Sequence, residues 1–167
     1  WIPLLALYTG ARCSELCQLL VQDIDTTANV PLIKITDQGE GQHVKTTASV
    51  RTIPIHSELI RLGFLEYVSS QKSTRLWPDL PLRTDKPGGY FSLWFGSLRQ
   101  SLRVPNTLVF HSFRHTVRSS LSESRVPEPI IDKLLGHESR GSIGAKIYTH
   151  HQIEELAQAI QTLKYSH

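Results

Sequence analysis

The chain has 167 residues, 40% of them hydrophobic and 20% charged, with 10 Gly and 9 Pro. This composition is typical of one compact folded domain and excludes a disordered or fibrous chain. No apolar run approaches the roughly 20 residues of a membrane span, and no basic and apolar leader opens the chain, so we expect a soluble, cytoplasmic protein. The two cysteines, Cys13 and Cys17, are expected to be reduced thiols, because a bridge between them would close a single helical turn.

The positive charge is unevenly distributed. The net charge of the chain is +3, but residues 83–125 hold seven Lys and Arg against two Asp and Glu, whereas both flanking segments are close to neutral. Such a basic segment indicates a surface that faces a polyanion, although a solvated face is its commoner meaning.

The first half of the chain predicts helices followed by a small sheet. Residues 2–8 are apolar almost all round, and residues 12–20 have the spacing of an amphipathic helix. Three segments with alternating apolar residues predict the strands of an antiparallel sheet: 21–25, 31–36 and 49–55. Lys45 lies in the glycine-containing turn before the third strand.

The second half of the chain predicts mainly helices. Residues 57–71 follow a helical pattern with Ser57 as the N-cap, and residues 77–89 are rich in Pro and Gly and predict a connection. Further helices are predicted over 90–103, 111–124, 127–135, a short segment ending near residue 148, and 152–164. The expected fold class is α+β, mostly helical, with a small three-stranded antiparallel sheet.

The predicted helix that starts at His111 has two distinct stripes. Apolar residues recur at spacings of three and four and are expected to face the core: Phe110, Phe113, Val117 and Leu121. Cations and imidazoles form the second stripe: His111, Arg114, His115 and Arg118. In an isolated helix, a stripe of this kind is typical of a solvated basic face.

Four segments of the chain share their residues, order and spacing with one protein family. They are TGARCSEL (9–16), KTTASVRTIPI (45–55), HSFRHT (111–116), and LGH (135–137) with IYTH (147–150). The first resembles the Gly-x-Arg-x-x-Glu-Leu segment of the tyrosine recombinases, the phage-integrase family of DNA breaking and rejoining enzymes. The others resemble that family's Lys-Thr-x-x-Ser-x-Arg-x-Ile-Pro hairpin, its His-x-x-Arg-His box, and its Leu-Gly-His and Tyr-Thr-His endings. The resemblance spans nearly the whole chain and implies a tyrosine-recombinase-like catalytic core.

The resemblance implies two arginine clamps, Arg12 and Arg114, on a DNA phosphate. Attack on a phosphodiester builds negative charge on its non-bridging oxygens, so donors must be fixed around the position that those oxygens reach. Arginine suits this task because its planar guanidinium makes paired hydrogen bonds and stays charged at any working pH.

The resemblance also implies the groups that move atoms and protons. Tyr148 would be the nucleophile, forming a link to the DNA 3′ phosphate and freeing a 5′ hydroxyl. Since a phenol has a pKa of about 10, it needs a base or a strong positive field at neutral pH. His111 and His137 are the candidates for this proton transfer, and Lys45 would be the general acid for the leaving oxygen.

Each of these residues also has a structural interpretation. Arg12 could pair with Glu15 one turn on, and Glu15 is expected to position Arg12 rather than to take part in the chemistry. Lys45 could be a solvated lysine, and His137 could be a neighbour of a helix end at Gly136. Tyr148 competes as nucleophile with four tyrosines that could be packing aromatics: Tyr8, Tyr67, Tyr90 and Tyr165.

The expected domain is a single catalytic domain over residues 1–167. Because the chain begins at Trp1 and contains no Met, we expect a fragment that lacks the amino-terminal DNA-clamping domain of the family. The resemblance implies double-stranded DNA as the partner, a homo-tetramer on DNA in the full-length protein, and no cofactor, metal or membrane. The apolar stripe of the last predicted helix packs either on its own domain or on a neighbouring subunit.

The leading hypothesis is the catalytic domain of a site-specific DNA recombinase or integrase. A type IB topoisomerase that relaxes DNA with a similar residue set is a close variant. A non-catalytic DNA-binding module, resting on the basic segment, would leave DNA intact. A metal-dependent hydrolase could use His111 and His115, four residues apart on a helix, but Ser112 stands where such a site needs a glutamate.

Overall fold

The computed structural model describes residues 1–83, 86–137 and 150–165. Its three strands form one antiparallel sheet in the order β1 (Ile24–Asp25), β2 (Leu32–Ile35) and β3 (Arg51–Pro54), which confirms the predicted sheet. The helices of these ranges are α1 (Ile2–Thr9), α2 (Cys13–Cys17), α3 (Ser57–Arg61), α4 (Phe64–Ser70), α5 (Gly89–Ser101), α6 (Ser112–Glu123), α7 (Glu128–Leu135) and α8 (His150–Ile160).

The sheet is held in register by the burial of one set of apolar side chains. Ile33 of β2 pairs with Ile24 of β1 on one side and with Ile53 of β3 on the other. All three isoleucines are buried, and a slip by one residue would expose them to solvent. The hydrophobic pattern therefore fixes the position of β3, from which the hairpin carrying Lys45 extends.

The core places α1 against α6, and both α7 and α8 against β3. The end of α1 comes very close to α7, because Gly10 adopts a left-handed conformation with φ of 64°. A Cβ atom at this position would lie 2.5 Å from Leu135 Cδ2, so the approach requires glycine. This contact brings the segment that follows α1 next to the end of α7.

Several predicted elements have different bounds in the structure. The predicted helix over 57–71 is two helices, because Gly63 between α3 and α4 has φ of 89°. Its N-cap is His56 rather than Ser57, since His56 Nδ1 accepts a hydrogen bond from Glu58 N at 3.0 Å. The predicted helix over 12–20 ends at Cys17.

The first predicted strand is shorter than expected. Residues 21–23 form a 3₁₀ turn rather than a strand, because Asp23 Oδ2 accepts a hydrogen bond from Leu20 N at 2.8 Å and caps the turn. The last helix begins at His150, earlier than predicted, and ends at Ile160. The short helix expected before residue 148 lies outside the described residues.

Two further findings concern the described part of the chain. Cys13 and Cys17 are free thiols whose Sγ atoms are 3.8 Å apart. None of the described helices is long and apolar enough to cross a membrane.

Candidate active site

Arg114 is buried in the middle of the molecule rather than solvated. It lies on the first turn of α6 and is only 5% exposed. Its guanidinium donates one hydrogen bond to Gly10 O at 2.9 Å and another to Leu135 O at 2.5 Å. The interpretation of the basic stripe as a solvated face is therefore wrong for Arg114, although His111 and His115 are exposed.

Arg12 is fixed by its own helix. It is the N-cap of α2, and the carboxylate of Glu15 accepts hydrogen bonds from Arg12 N at 2.8 Å and from Arg12 Nη1 at 2.6 Å. The same Nη1 donates to Ser49 Oγ at 3.1 Å, which ties Arg12 to the segment before β3. The predicted pairing of Arg12 with Glu15 is confirmed, and the arginine side chain keeps 23% of its surface exposed.

Arg51 holds Glu15 in place from the core side, and no role was predicted for it from the sequence. Its guanidinium contacts both carboxylate oxygens of Glu15, at 2.9 and 3.2 Å, and its Nε donates to Leu134 O at 2.8 Å. Both side chains of this ion pair are almost fully buried. A signal was present in the sequence, because Arg51 has the same strand parity as Ile53, whose side chain faces the core.

The pKa values follow from this cluster of charges. Burial alone would raise the pKa of Glu15, but the charge and hydrogen bonds of Arg51 and the contacts from Arg12 outweigh it and lower the pKa to about 2. Burial, followed by the positive charges of Arg12 and Arg51, lowers the pKa of Arg114 to about 10. Glu15 and Arg114 are therefore both charged at neutral pH, and the guanidinium groups of Arg12 and Arg51 lie around the same carboxylate.

The structure brings Arg12 and Arg114 together. The Gly10 carbonyl that accepts from Arg114 lies two residues before Arg12, and the two guanidinium charges interact. The two arginines come from distant parts of the chain, and the charges of both interact with the buried carboxylate of Glu15. Because Arg12 keeps part of its side chain exposed, a cluster of three cations and one carboxylate can attract a phosphate at that surface.

The two histidines predicted for proton transfer lie at the edge of this cluster. Burial lowers the pKa of His111, and so do the charges of His115, Arg114 and Arg12. Burial and Arg114 also lower the pKa of His137, although a contact with Asp132 opposes the shift. Both imidazoles are therefore mainly neutral at pH 7.

His137 also has the structural role considered above. It directly follows Gly136, the left-handed residue that ends α7, and its backbone N–H bonds to Asp132 O. The two interpretations of His137 are compatible, because the helix end positions its ring.

Lys45 is not brought to the cluster by the described contacts. Lys45 is exposed in the connection between β2 and β3, and no contact among the described residues joins its side chain to either arginine. It is nonetheless linked to the site, because Oγ1 of the neighbouring Thr46 is 3.2 Å from Ser49 Oγ, the partner of Arg12. Tyr148 lies outside the described residues.

A cleft of about 330 Å³ opens beside the cluster. Arg12, His111 and Arg99 line it together with Phe95 and Phe110. His111 and His115 have their rings 4.9 Å apart, and within the described part of the chain no group of three or more His, Cys, Asp or Glu could hold a metal ion.

Comparison with known proteins agrees with this geometry. The sequence profile of the phage integrase family matches residues 2–155. The chain belongs to the phage integrase family of tyrosine recombinases. A tyrosine recombinase described as XerC-like, from Caldanaerobacter subterraneus subsp. tengcongensis, is 30% identical over 96% of this chain and 47% of its own length. Tyrosine recombinase XerA of Thermococcus kodakarensis is 30% identical over 98% of the chain and 54% of its own length.

The solved structures of this family that resemble the chain show the same fold. The integrase from mycobacterium phage Brujita aligns with a TM-score of 0.65 and 19% identity, over 98% of this chain and 50% of that protein. The Tn1549 transposon integrase, solved in complex with circular intermediate DNA, aligns with a TM-score of 0.63 and 19% identity, over 99% and 55%. The predicted fold class, a mostly helical recombinase core with a small sheet, is thus confirmed. The chain spans about half the length of the curated relatives it matches.

Proposed function

We propose that this chain is the catalytic domain of a site-specific DNA recombinase, which cleaves and rejoins double-stranded DNA through a 3′-phosphotyrosyl intermediate. The observation that carries the proposal is the cluster of Arg12 and Arg114, whose charges interact beside a cleft lined by Arg12 and His111, with His137 at the edge of the cluster. The names of the relatives support the same reaction class.

In this proposal the two arginines stabilise the charge that builds on the phosphate. Arg114 is locked by two backbone carbonyls and Arg12 by Glu15, so little reorganisation is needed when negative charge develops on the non-bridging oxygens. Each guanidinium also retains N–H groups beyond those already bonded to the protein. The site therefore has the preorganised donors that phosphoryl transfer requires.

The bond-making step uses Tyr148. Its phenol oxygen would attack the phosphorus, and the bond to the 5′ oxygen would break, with Lys45 supplying the proton to that leaving oxygen. His111 or His137, mainly neutral at pH 7, would take the phenol proton. Rejoining is the reverse reaction, and it needs no ATP because the phosphotyrosine retains the bond energy.

The reaction is proposed to proceed without a metal ion, with the arginines supplying the positive charge that metals supply in two-metal nucleases. The partner is double-stranded DNA, which the basic segment over residues 83–125 would face. The intact protein would add an amino-terminal DNA-clamping domain and act as a tetramer on DNA. The length of the relatives, about twice that of this chain, supports a larger intact protein.

Trapping of the covalent intermediate tests the proposal. Binding sites are first selected from a pool of randomised duplexes with the intact protein, and each is then nicked so that the short cleaved end diffuses away. The wild-type protein should accumulate a DNA adduct, in a chelator as well as without one, and peptide mapping should place it on Tyr148. Tyr148→Phe should abolish the adduct, whereas Tyr67→Phe, which removes a phenol hydroxyl from α4, should retain it.

Other results would favour other functions. Salt-sensitive DNA binding without any adduct would indicate a non-catalytic DNA-binding module. A protein that forms the adduct and relaxes supercoiled DNA of any sequence, without strand exchange, would indicate a type IB topoisomerase. An adduct on another tyrosine would contradict the assignment of Tyr148.

A further inference from the structure

Arg118 is a member of the basic stripe on α6 for which the proposed chemistry has no use. Its side chain is 37% exposed and turns toward α7. There its guanidinium forms an ion pair with the carboxylate of Glu128 and lies 3.3 Å from Asp132 Oδ1 and 2.9 Å from His137 Nδ1. Arg118 therefore connects the middle of α6 to the histidine that follows α7.

The two contacts of His137 Nδ1 require opposite protonation states of that nitrogen. The guanidinium of Arg118 has only N–H donors, so at 2.9 Å the nitrogen must accept a hydrogen bond. Asp132 Oδ1, at 3.2 Å from the same nitrogen, can only accept while it is ionised and would require a proton on Nδ1. One neutral ring nitrogen cannot satisfy both neighbours.

The geometry favours the contact with Arg118, in which Nδ1 accepts the hydrogen bond. This contact is the shorter one, and a proton on Nδ1 would be directed against the guanidinium N–H groups. Asp132 does not need that proton, because Arg118 Nη1 can also donate to its Oδ1. With Nδ1 accepting, the single proton of the neutral imidazole must lie on Nε2.

His137 is mainly neutral at pH 7. Burial and the charge of Arg114 lower the pKa of His137, the contact with Asp132 opposes this, and Arg118 adds to the lowering. The charged groups that face the ring are thus Arg114 and Arg118 from α6 and Asp132 from α7. His137 also interacts electrostatically with His111, at the edge of the same site.

We propose that Arg118 is a positioning residue that holds neutral His137 in the Nε2–H tautomer, so that the imidazole presents an N–H donor to the DNA phosphate. Arg118 acts only through His137. In this form His137 donates to the phosphate and has no free nitrogen to take the phenol proton, so of the two histidines His111 is the base. The donation to DNA rests on the proposed function, whereas the tautomer is a property of the free protein and can be measured without any reaction.

Nitrogen NMR of the intact protein, labelled with ¹⁵N at histidine, measures the tautomer directly. His137→Gln identifies the His137 signals. In the wild-type protein, Nε2 should carry the proton. In Arg118→Ala, Asp132 becomes the remaining partner of Nδ1, so the proton should move to Nδ1 and the pKa of His137 should rise. Asp132→Asn should keep the proton on Nε2 and lower the pKa of His137.

Two further variants separate this role from general structural support. Arg118→Lys keeps a positively charged donor and should restore the Nε2–H form. Arg61→Ala removes an exposed arginine that pairs with Glu58 on α3, far along the chain from this site, and should leave the His137 spectrum unchanged. A loss of α6–α7 packing alone would lower the melting temperature but would not switch the tautomer.

Cleavage of the nicked duplex tests whether Arg118 affects the reaction. At saturating DNA, Arg118→Ala should slow adduct formation by about ten-fold or more, and Arg118→Lys should recover most of that rate. An Nδ1–H tautomer in the wild-type protein, or an unchanged tautomer in Arg118→Ala, would overturn the proposal. Absence of an adduct with the wild-type protein would refute the proposed function instead, and the NMR result would still decide the role of Arg118.

Discussion

The candidate site has a buried side and an open side, and the two are built differently. On the buried side, Glu15, Arg51 and Arg114 are 3 to 5% exposed and are bonded to one another or to backbone carbonyls. On the open side, His111 is exposed, and Lys45 is exposed in the connection between β2 and β3. Arg114, which would hold the phosphate, is thus fixed by folding, whereas Lys45 and His111, which would transfer protons, remain accessible to DNA and water.

The largest expected effect comes from the carboxylate of the buried side. Glu15→Gln keeps the size of the side chain but leaves Arg51 buried without its counter-charge, which should lower the free energy of unfolding by about 3–5 kcal/mol. Urea unfolding measures this change. Glu58→Gln, which breaks the pair with the exposed Arg61, is the matched control and should have a small effect. Equal effects in the two variants would contradict the distinction between the two sides.

Arg114 tests whether the buried side serves the reaction as well as the fold. Arg114→Lys keeps the positive charge but cannot contact Gly10 O, Leu135 O and a phosphate together, so the adduct rate should fall by about 10²–10³-fold. Single-turnover cleavage of the nicked duplex measures this rate. Arg61→Lys, on the surface of α3, should retain the wild-type rate. A fully active Arg114→Lys variant would mean that charge alone suffices at this position.

Acid should weaken the buried side through Glu15. Its pKa is lowered from 4.5 to about 2 in the folded chain, so its contribution to stability is complete above pH 4.5 and is lost as the pH falls toward 2. The melting temperature of the wild-type protein should decrease over this interval. In Glu15→Gln, the part of the decrease that depends on this carboxylate should disappear. Parallel pH curves for the two proteins would show that another group causes the acid sensitivity.

The smallest expected effect concerns the fit of Arg51 beneath the end of α7. Gly136 has φ of 66°, and a Cβ there would lie 3.0 Å from both Cδ and Nη1 of Arg51. Gly136→Ala should therefore cost about 1–2 kcal/mol from backbone strain plus a further loss from displacing Arg51. Gly41→Ala, at φ of 74° with open space around it, isolates the strain. Equal shifts of the urea midpoint in the two variants would show that Arg51 is not displaced.

The bounds of an element could be predicted from the sequence where its apolar periodicity continued without interruption. The apolar stripe of α6 and the alternation of β2 gave nearly correct bounds, because period and burial coincide there. The prediction of one helix over 57–71 was wrong, because the apolar spacing continues past Gly63, whose left-handed conformation breaks the helix. Leu62, directly before this glycine, is 41% exposed.

The site could be predicted only where a motif marked it. Arg12 and Arg114 stand in recognisable segments, and the structure brings them together. The pairing of Arg12 with Glu15 was predicted from their spacing. The contacts of Glu15 with Arg51 and of Arg118 with His137 were not predicted, because they join distant residues through packing. No local spacing records such pairs.

The central claim is that Arg114 stabilises negative charge on the attacked phosphate. The most direct measurement compares Arg114→Ala with the wild-type intact protein on two nicked duplexes, one with the natural phosphate and one with a neutral methylphosphonate at the cleavage position. Arg114→Ala should lose most of its cleavage rate on the phosphate but much less of it on the methylphosphonate, which lacks the charge that the arginine offsets. An equal loss on both duplexes would contradict the account, because Arg114 would then support the fold without contributing to the reaction.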